Sequence, residues 1–263
     1  MASTLLTCTS STRPGSPSTG DTLFETDTKS IIVYSGTAWR GYNSGGFALG
    51  ANGYSLDCDG TDDRVELGTV SFLNSSSGFS ISTWVKSSDT SATQFFFQSG
   101  SDTFYNAIGF YRGGSGMDLT LGKGGSAYYG VRYSGEIFDG SWKHVVAVFA
   151  DSAASLYING SLATTAAIGS SSNSTAVSTA GQDARIGGKT DDTLCINGKL
   201  DDFALFSAAL TATEVSNIYT SRIYNPAKLE HLYKFENNYN DSEGSLNGTA
   251  QGNPTFDSSD KPY

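Results

Sequence analysis

The chain has 263 residues and a formal net charge of −10, a length that suits one large β domain or two ordinary ones. The acidic balance argues against nucleic acid and anionic membranes as partners, because affinity for a phosphate backbone comes from Lys and Arg. With 14 Tyr, 15 Phe and 31 Gly set among Ser and Thr, and little Leu-rich helical periodicity, the composition describes short strands joined by tight turns.

Residues 8–20, "CTSSTRPGSPSTG", have no periodicity and read as an extended arm unable to fold by itself. "TLFET" and "SIIVYSG" follow as two β-rich runs separated by "DTK", a hairpin closed by Trp39. One hairpin is marginal in water, so this one is expected to pack on copies of itself or on another protein. No basic leader or long apolar run precedes it, so the chain is expected to be made in a cytoplasm and to reach its place by assembly.

Residues 46–222 make the main domain. "FSISTWVKS" sets Phe79, Ile81 and Thr83 against Ser80, Ser82 and Trp84, and "WKHVVAVFA" and "ASLYING" are further strands. Asn159-Gly160 between "SLYI" and "SLATT" signals a type I′ hairpin, whose two central residues take positive φ. In "TATEVSNIYTS" Thr211 and Glu214 form a capping box, and Val215, Ile218 and Tyr219 fall on one helical face, so a short helix should lie across the strands. Residues 223–263 hold one more amphipathic strand, "LYKFE", and a polar loop, "NNYNDSEGSLNGT".

The chemistry legible in these segments is mostly that of binding. Two carboxylates facing one sugar across the scissile bond, which glycoside hydrolysis needs, cannot be assembled on any strand. His144 and His231 are the only histidines, and both read as strand positions, so the chain is read as non-enzymatic. Cys8, Cys58 and Cys195 are scattered and read as reduced, buried residues. Tyr105, Tyr111, Tyr128, Tyr129 and Tyr133, in "FYNAIGFYRGGSG" and "SAYYGVRY", are candidates for a surface that stacks sugars, although aromatics are also ordinary strand residues.

Two resemblances extend this reading. Ser11 to Pro14, Ser16, Pro17, Gly20, Glu25 to Thr28, Gly36, Ala38 and Trp39 resemble a short module of bacteriophage structural proteins, over about thirty residues. That resemblance implies residues 1–45 as a virion-attachment arm and hairpin, contacts with other virion proteins, a homo-oligomer with a trimer favoured, as phage fibres and spikes often use, and a place on the virion surface after assembly in the host cytoplasm. "YSLDCDGTDDRVEL", "FSISTWVK", "GSWKHVVAVF", "SLYINGSL", "ARIGG" and "NGKLDDFALFSAALTATEV" resemble the laminin G-like, concanavalin A-like jelly-roll family, which includes pentraxins. It implies an all-β jelly-roll sandwich with one short helix.

In pentraxins an acidic loop supplies calcium ligands. The similar loop "IGGKTDDTLC" implies Asp191 and Asp192 as calcium ligands, with Asp102 in "GSDTFYN" as a further one. Turn aspartates without a metal are the competing account. Asp57, Asp59, Asp62, Asp63, Asp201 and Asp202 match the family pattern itself and read as structural. In that family "YxFE", "NDSxG" and "NGT" normally precede the "DGTDDRVEL" segment. Residues 223–263 are therefore expected to complete the sandwich, within their own chain or on a neighbour, with Tyr233 and Phe235 inward and Lys234 and Glu236 toward solvent. Together these readings point to a phage virion protein, a capsid decoration or tail-fibre component displaying a lectin-like domain for surface glycans. A bacterial carbohydrate-binding or adhesion module is the alternative, and an inactive relative of a jelly-roll glycanase a third.

Overall fold

The computed structural model describes residues 6–18, 21–26, 30–34, 39–42, 47–48, 52–74, 78–101, 104–114, 116–125, 127–170, 183–189 and 193–263. Near the N-terminus Leu6–Cys8 (β1), Thr22–Glu25 (β2), Ser30–Tyr34 (β3) and Trp39–Tyr42 (β4) form a four-stranded sheet in that order. The hairpin of β2 and β3 is present. The arm begins at Cys8, the last residue of β1, which runs parallel to β2, and the hairpin holds the segment that follows. Arg13 pairs with Glu25, which is buried, and the Trp39 indole N–H reaches the Pro14 carbonyl at 3.5 Å. Trp39 also packs on Tyr34, with ring centroids 5.5 Å apart. Among the described residues of this unit, Leu23 and Ile32 are the buried apolar side chains.

Phe47–Ala48 (β5) leads to a sandwich of two eight-stranded antiparallel sheets. Its strands are Ser55–Asp59 (β6), Arg64–Thr69 (β7), Phe79–Lys86 (β8), Gln94–Gly100 (β9), Ala107–Gly113 (β10) and Gly116–Gly122 (β11). Tyr128–Tyr133 (β12), Lys143–Ala150 (β13), Ala153–Ile158 (β14), Ser161–Leu162 (β15) and Ala166–Gly169 (β16) follow. Asp183–Ile186 (β17) and Asn197–Phe206 (β18) precede the helix Ala212–Ser221 (α1). After it come Ile223–Tyr224 (β19), Leu229–Tyr233 (β20), Thr249–Gln251 (β21) and Thr255–Asp257 (β22). The first sheet runs β16-β12-β11-β10-β9-β17-β7-β21. The second runs β15-β14-β13-β8-β18-β6-β22, with β20 on the far half of β18.

Strand alternation builds the core. Phe79, Ile81 and Val85 of β8 face Phe97, Ile108, Phe110, Leu119 and Leu121 of the first sheet, and all are essentially without exposure. Ser80, Ser82 and Trp84 point the other way but are also buried, because α1 covers that outer face. Val215 and Ile218 pack there on Val146, Val148, Ala204 and Phe206, a second apolar cluster. The capping box forms: Thr211 Oγ1 accepts the Glu214 N–H at 3.2 Å, and Glu214 accepts the Thr211 N–H at 2.7 Å. The β14–β15 turn carries Asn159 at φ 49° and Gly160 at φ 77°, the left-handed pair its dipeptide demands.

The C-terminal segment completes both sheets from within the same chain. β20 pairs with β18, β21 with β7 and β22 with β6. Tyr233 and Phe235 enter the core at 0% and 1% exposure. The strand stops at Tyr233, since Phe235 takes φ 52°. Glu236 is half-buried, and both its carboxylate oxygens accept the Gly53 N–H at 2.9 Å, where the alternation of an extended strand placed it in solvent. The "NDSEG" loop is wound on Asp241. Its carboxylate accepts the N–H groups of Leu232, Glu243, Gly244 and Leu246 at 3.0–3.2 Å and pairs with His231 Nδ1 at 2.7 Å. Among the described residues no helix is long and apolar enough to cross a membrane.

Candidate functional site on the outer face of the first sheet

Residues that alternate with the core positions of β9 to β12 form the outer face of the first sheet. On β10 these are Gly109, Tyr111 and Gly113, on β11 Asp118, Thr120 and Gly122, and on β12 Tyr128, Gly130 and Arg132. Glycine is required at two of them by close approach. A Cβ on Gly130 would lie 2.0 Å from the Leu119 carbonyl oxygen, and one on Gly122 would lie 2.5 Å from that of Tyr105. The Phe104–Asn106 turn is thus seated against β11, with the Gly124 N–H donating to Tyr105 O at 2.7 Å.

That seating brings two of the candidate tyrosines together. Tyr105 is 37% exposed, and its ring centroid lies 6.2 Å from that of the half-buried Tyr128, the rings tilted by 51°. Four residues along β12, Arg132 stands on the same face about 13 Å from Tyr128, at the repeat of an extended strand. Its side chain is 45% exposed, whereas its partner Asp118 has no exposure. Nε and Nη2 of Arg132 donate to the two Asp118 oxygens, Nε at 2.6 Å. The Asp118 bonds hold the guanidinium protonated still more firmly than usual, against the opposing effect of burial. Nη1 is not used in this pair.

The other candidate tyrosines are placed differently. Tyr129 lies inside the core at 1% exposure, against Phe149, so it cannot stack a sugar; on β12 it alternates with Tyr128 and Gly130 and therefore points inward. Tyr133 also packs against the core. Tyr111 is on the outer face but only 6% exposed, its ring stacked on Phe95 at 4.5 Å, so its flat face is spent within the protein; burial pushes its phenol up. Toward the other edge the face is closed by ion pairs. Glu66 takes Arg64 at 2.7 Å and Arg185 at 2.9 Å, and Asp183 accepts the Thr69 hydroxyl at 2.9 Å.

Asp102, Asp191 and Asp192 lie outside the described residues. Among those described, Asp59, Asp62 and Asp63 can bring one oxygen each within 4.8 Å of one another. Asp63 is nearly fully buried, and its oxygens already accept the Asp59 N–H at 3.0 Å and the Asn253 N–H at 2.6 Å; Asp59 accepts the Thr61 N–H at 2.8 Å. Those bonds are what turn aspartates make, and only part of the cluster's oxygen capacity is left for a hard cation. Cys58 and Cys195 are buried and in no disulfide, and desolvation pushes the Cys58 thiol well up. His144 is fully buried, its Nε2 bonded to Ser82 at 2.9 Å, and burial lowers its pKa to about 3, so it is a neutral structural residue.

Arg132 with Asp118 is the pair that sequence reasoning missed. Neither sits in a recognisable motif, and they become neighbours only through the β11–β12 register. The signal available was the density of glycines in "AIGFYRGGSGMDLTLGKGGSAYYGVRY", of which Gly109, Gly113, Gly122 and Gly130 fall on the outer face and mark a sheet surface kept low for something to approach.

A two-sheet antiparallel sandwich with one short helix across it defines a jelly-roll, lectin-type protein. This chain belongs to the concanavalin A-like lectin/glucanases superfamily, whose family model Laminin_G_3 matches residues 59–216, more than half of the chain. Its fold is similar to that of a candidate carbohydrate binding protein from Bacteroides ovatus, with a TM-score of 0.60, 16% identity and coverage of 80% of this chain. The chain spans 60% of the length of that protein. The heptameric SAP-like pentraxin of Limulus polyphemus is similar at TM-score 0.54 and 18% identity, over 80% of this chain and 96% of the other. Domain 4 of an extracellular arabinanase from Geobacillus stearothermophilus, solved with arabinotriose, is similar at TM-score 0.50 and 22% identity, over 65% and 82%. No curated protein matches the chain by sequence.

Proposed function

We propose that this chain binds carbohydrate without hydrolysing it, on the outer face of the first sheet, and that it does so as a surface component of a phage particle. The observation that carries the binding reading is the placement of the paired Tyr105 and Tyr128 on the same glycine-floored face as Arg132, about 13 Å further along β12. Aromatic rings stack on the C–H faces of sugars, and an oriented guanidinium donates to their hydroxyls. The Bacteroides ovatus protein and the arabinanase domain, which was solved with arabinotriose, lend support by class. Of the three carboxylates on that face, Asp118 and Glu66 are engaged by arginines and Asp183 accepts the Thr69 hydroxyl, which suits recognition better than acid–base work.

The virion reading rests on the N-terminal unit. A small four-stranded sheet separate from the sandwich suits an attachment and oligomerisation segment, through which residues 1–45 would contact other virion proteins or form a trimer. A free bacterial carbohydrate-binding module is the rival, and it needs no such segment. Calcium is part of the proposal, with Asp102, Asp191 and Asp192 as its ligands. The binding reading is tested by a glycan array probed with the purified chain and with Tyr105→Ala/Tyr128→Ala. Retention on defined glycans that the double variant loses is the expected result. No retention, or retention that ignores both rings, would overturn it.

A further inference from the structure

The charge pattern of this face points to the class of glycan, an inference that rests on the binding reading above. The outward-facing positions of these strands carry three arginines, Arg64, Arg132 and Arg185, and three carboxylates, Glu66, Asp118 and Asp183, while Arg112 of β10 is buried and paired with Glu136. Two arginines share Glu66, and Arg132, the most exposed of the described ionic groups beside the tyrosine pair, is held by a carboxylate with no exposure. Among the described residues of its strands the face is therefore locally neutral, in a chain of net charge −10. Adding a uronate or sialate carboxylate would leave that arginine shared between two anions in an already negative field. A neutral sugar meets no such repulsion. The Asp118 contact uses the side of the guanidinium that bears Nε, which leaves the end-on edge, a planar fork of Nη1 and the second Nη2 hydrogen, outside that pair on a side chain 45% exposed. Such a fork matches two neighbouring hydroxyl oxygens as acceptors.

We infer that the ligand is a neutral oligosaccharide, with one sugar stacked at Tyr105 and Tyr128 and a neighbouring-hydroxyl pair accepting from the Arg132 fork. Asp118 is a positioning residue in this scheme, and by cancelling the arginine's charge it sets the preference for neutral over acidic sugars.

Titration calorimetry with the whole chain tests this, using arabinotriose, cellohexaose and laminarihexaose as neutral probes and oligogalacturonate and sialyllactose as acidic ones. Each series is run at about 20 and about 200 mM salt. At least one neutral probe should bind with an affinity changed less than about twofold by salt. Arg132→Lys keeps a charge beside Asp118 but lacks the fork, and should weaken that binding about tenfold with little change in melting temperature. Asp118→Asn should shift preference toward oligogalacturonate, with affinity that falls as salt rises, an effect that a merely structural aspartate would not produce. Preference of the wild type for an acidic probe overturns the neutral assignment, and unchanged neutral binding in Arg132→Lys removes the fork; both leave carbohydrate binding standing. Failure of every probe, together with a blank array, removes both readings.

Discussion

Asp202 and Arg222 meet in a buried two-armed ion pair, at 2.6 Å from Nε and 2.7 Å from Nη2, although twenty residues and the whole of α1 separate them. Asp202 sits at φ 43° where β18 bulges between Asp201 and Ala204, and Arg222 is the left-handed C-cap of α1 at φ 50°. The pair nails the helix to the sheet it covers. The Arg222 guanidinium also lies 4.7 Å from the Tyr263 ring centroid. Removing one member leaves a charge buried alone, so Arg222→Ala should cost about 3–5 kcal/mol in urea unfolding. A loss under about 1 kcal/mol would mean that the pair is solvated in solution.

Stability should fall on mild acidification through His144. Its pKa is about 3 in the folded protein, held down by burial, against an ordinary 6.5 in the unfolded chain. Between those values the unfolded chain binds the proton and the native one does not. Stability therefore rises with pH across that window, by up to about 1.4 kcal/mol per unit. Denaturant melts from pH 4 to 7 should show this slope, and His144→Gln should flatten it.

The C-terminal strand is part of the core and not an appendage. Phe235→Ala should cost about 3–5 kcal/mol as a large buried ring is lost. Deleting residues 226–263 strips β20 to β22 from both sheets and should give aggregated protein. A soluble truncation with an unchanged melting temperature would contradict the packing described.

The N-terminal sheet is expected to govern assembly. A chain lacking residues 1–45 should elute as a monomer, while the full chain elutes as an oligomer, with a trimer favoured, and loses that state in Trp39→Ala. A full-length monomer at micromolar concentration would remove the attachment proposal but leave the sandwich and its binding face untouched.

Calcium is expected to raise the melting temperature of the wild type but not of Asp191→Ala/Asp192→Ala. An equal rise in both would move attention to Asp59, Asp62 and Asp63, where the described carboxylates converge.

Much of the architecture was legible without coordinates because it is written in local chemistry. Alternation in "FSISTWVK", the Asn159-Gly160 turn and the Thr211–Glu214 box each specify a conformation within a few residues, and each formed. Tyr233 and Phe235 could be placed inward for the same reason. What only the tertiary structure decided depends on register and on long-range neighbours. Tyr128 and Tyr129 are adjacent and chemically alike, and a period of two sends one to the outer face and the other into the core; only the pairing of β12 with β11 says which. Asp118 and Arg132, fourteen positions apart, acquire a common role through that same register. Glu236 leaves the extended pattern because Phe235 turns the chain toward Gly53. The sequence determined the strands, the turns and the helix cap, since these follow from nearest-neighbour sterics and hydrogen bonding. The binding face was decided by which strands lie side by side, and that is a property of the assembled sheet.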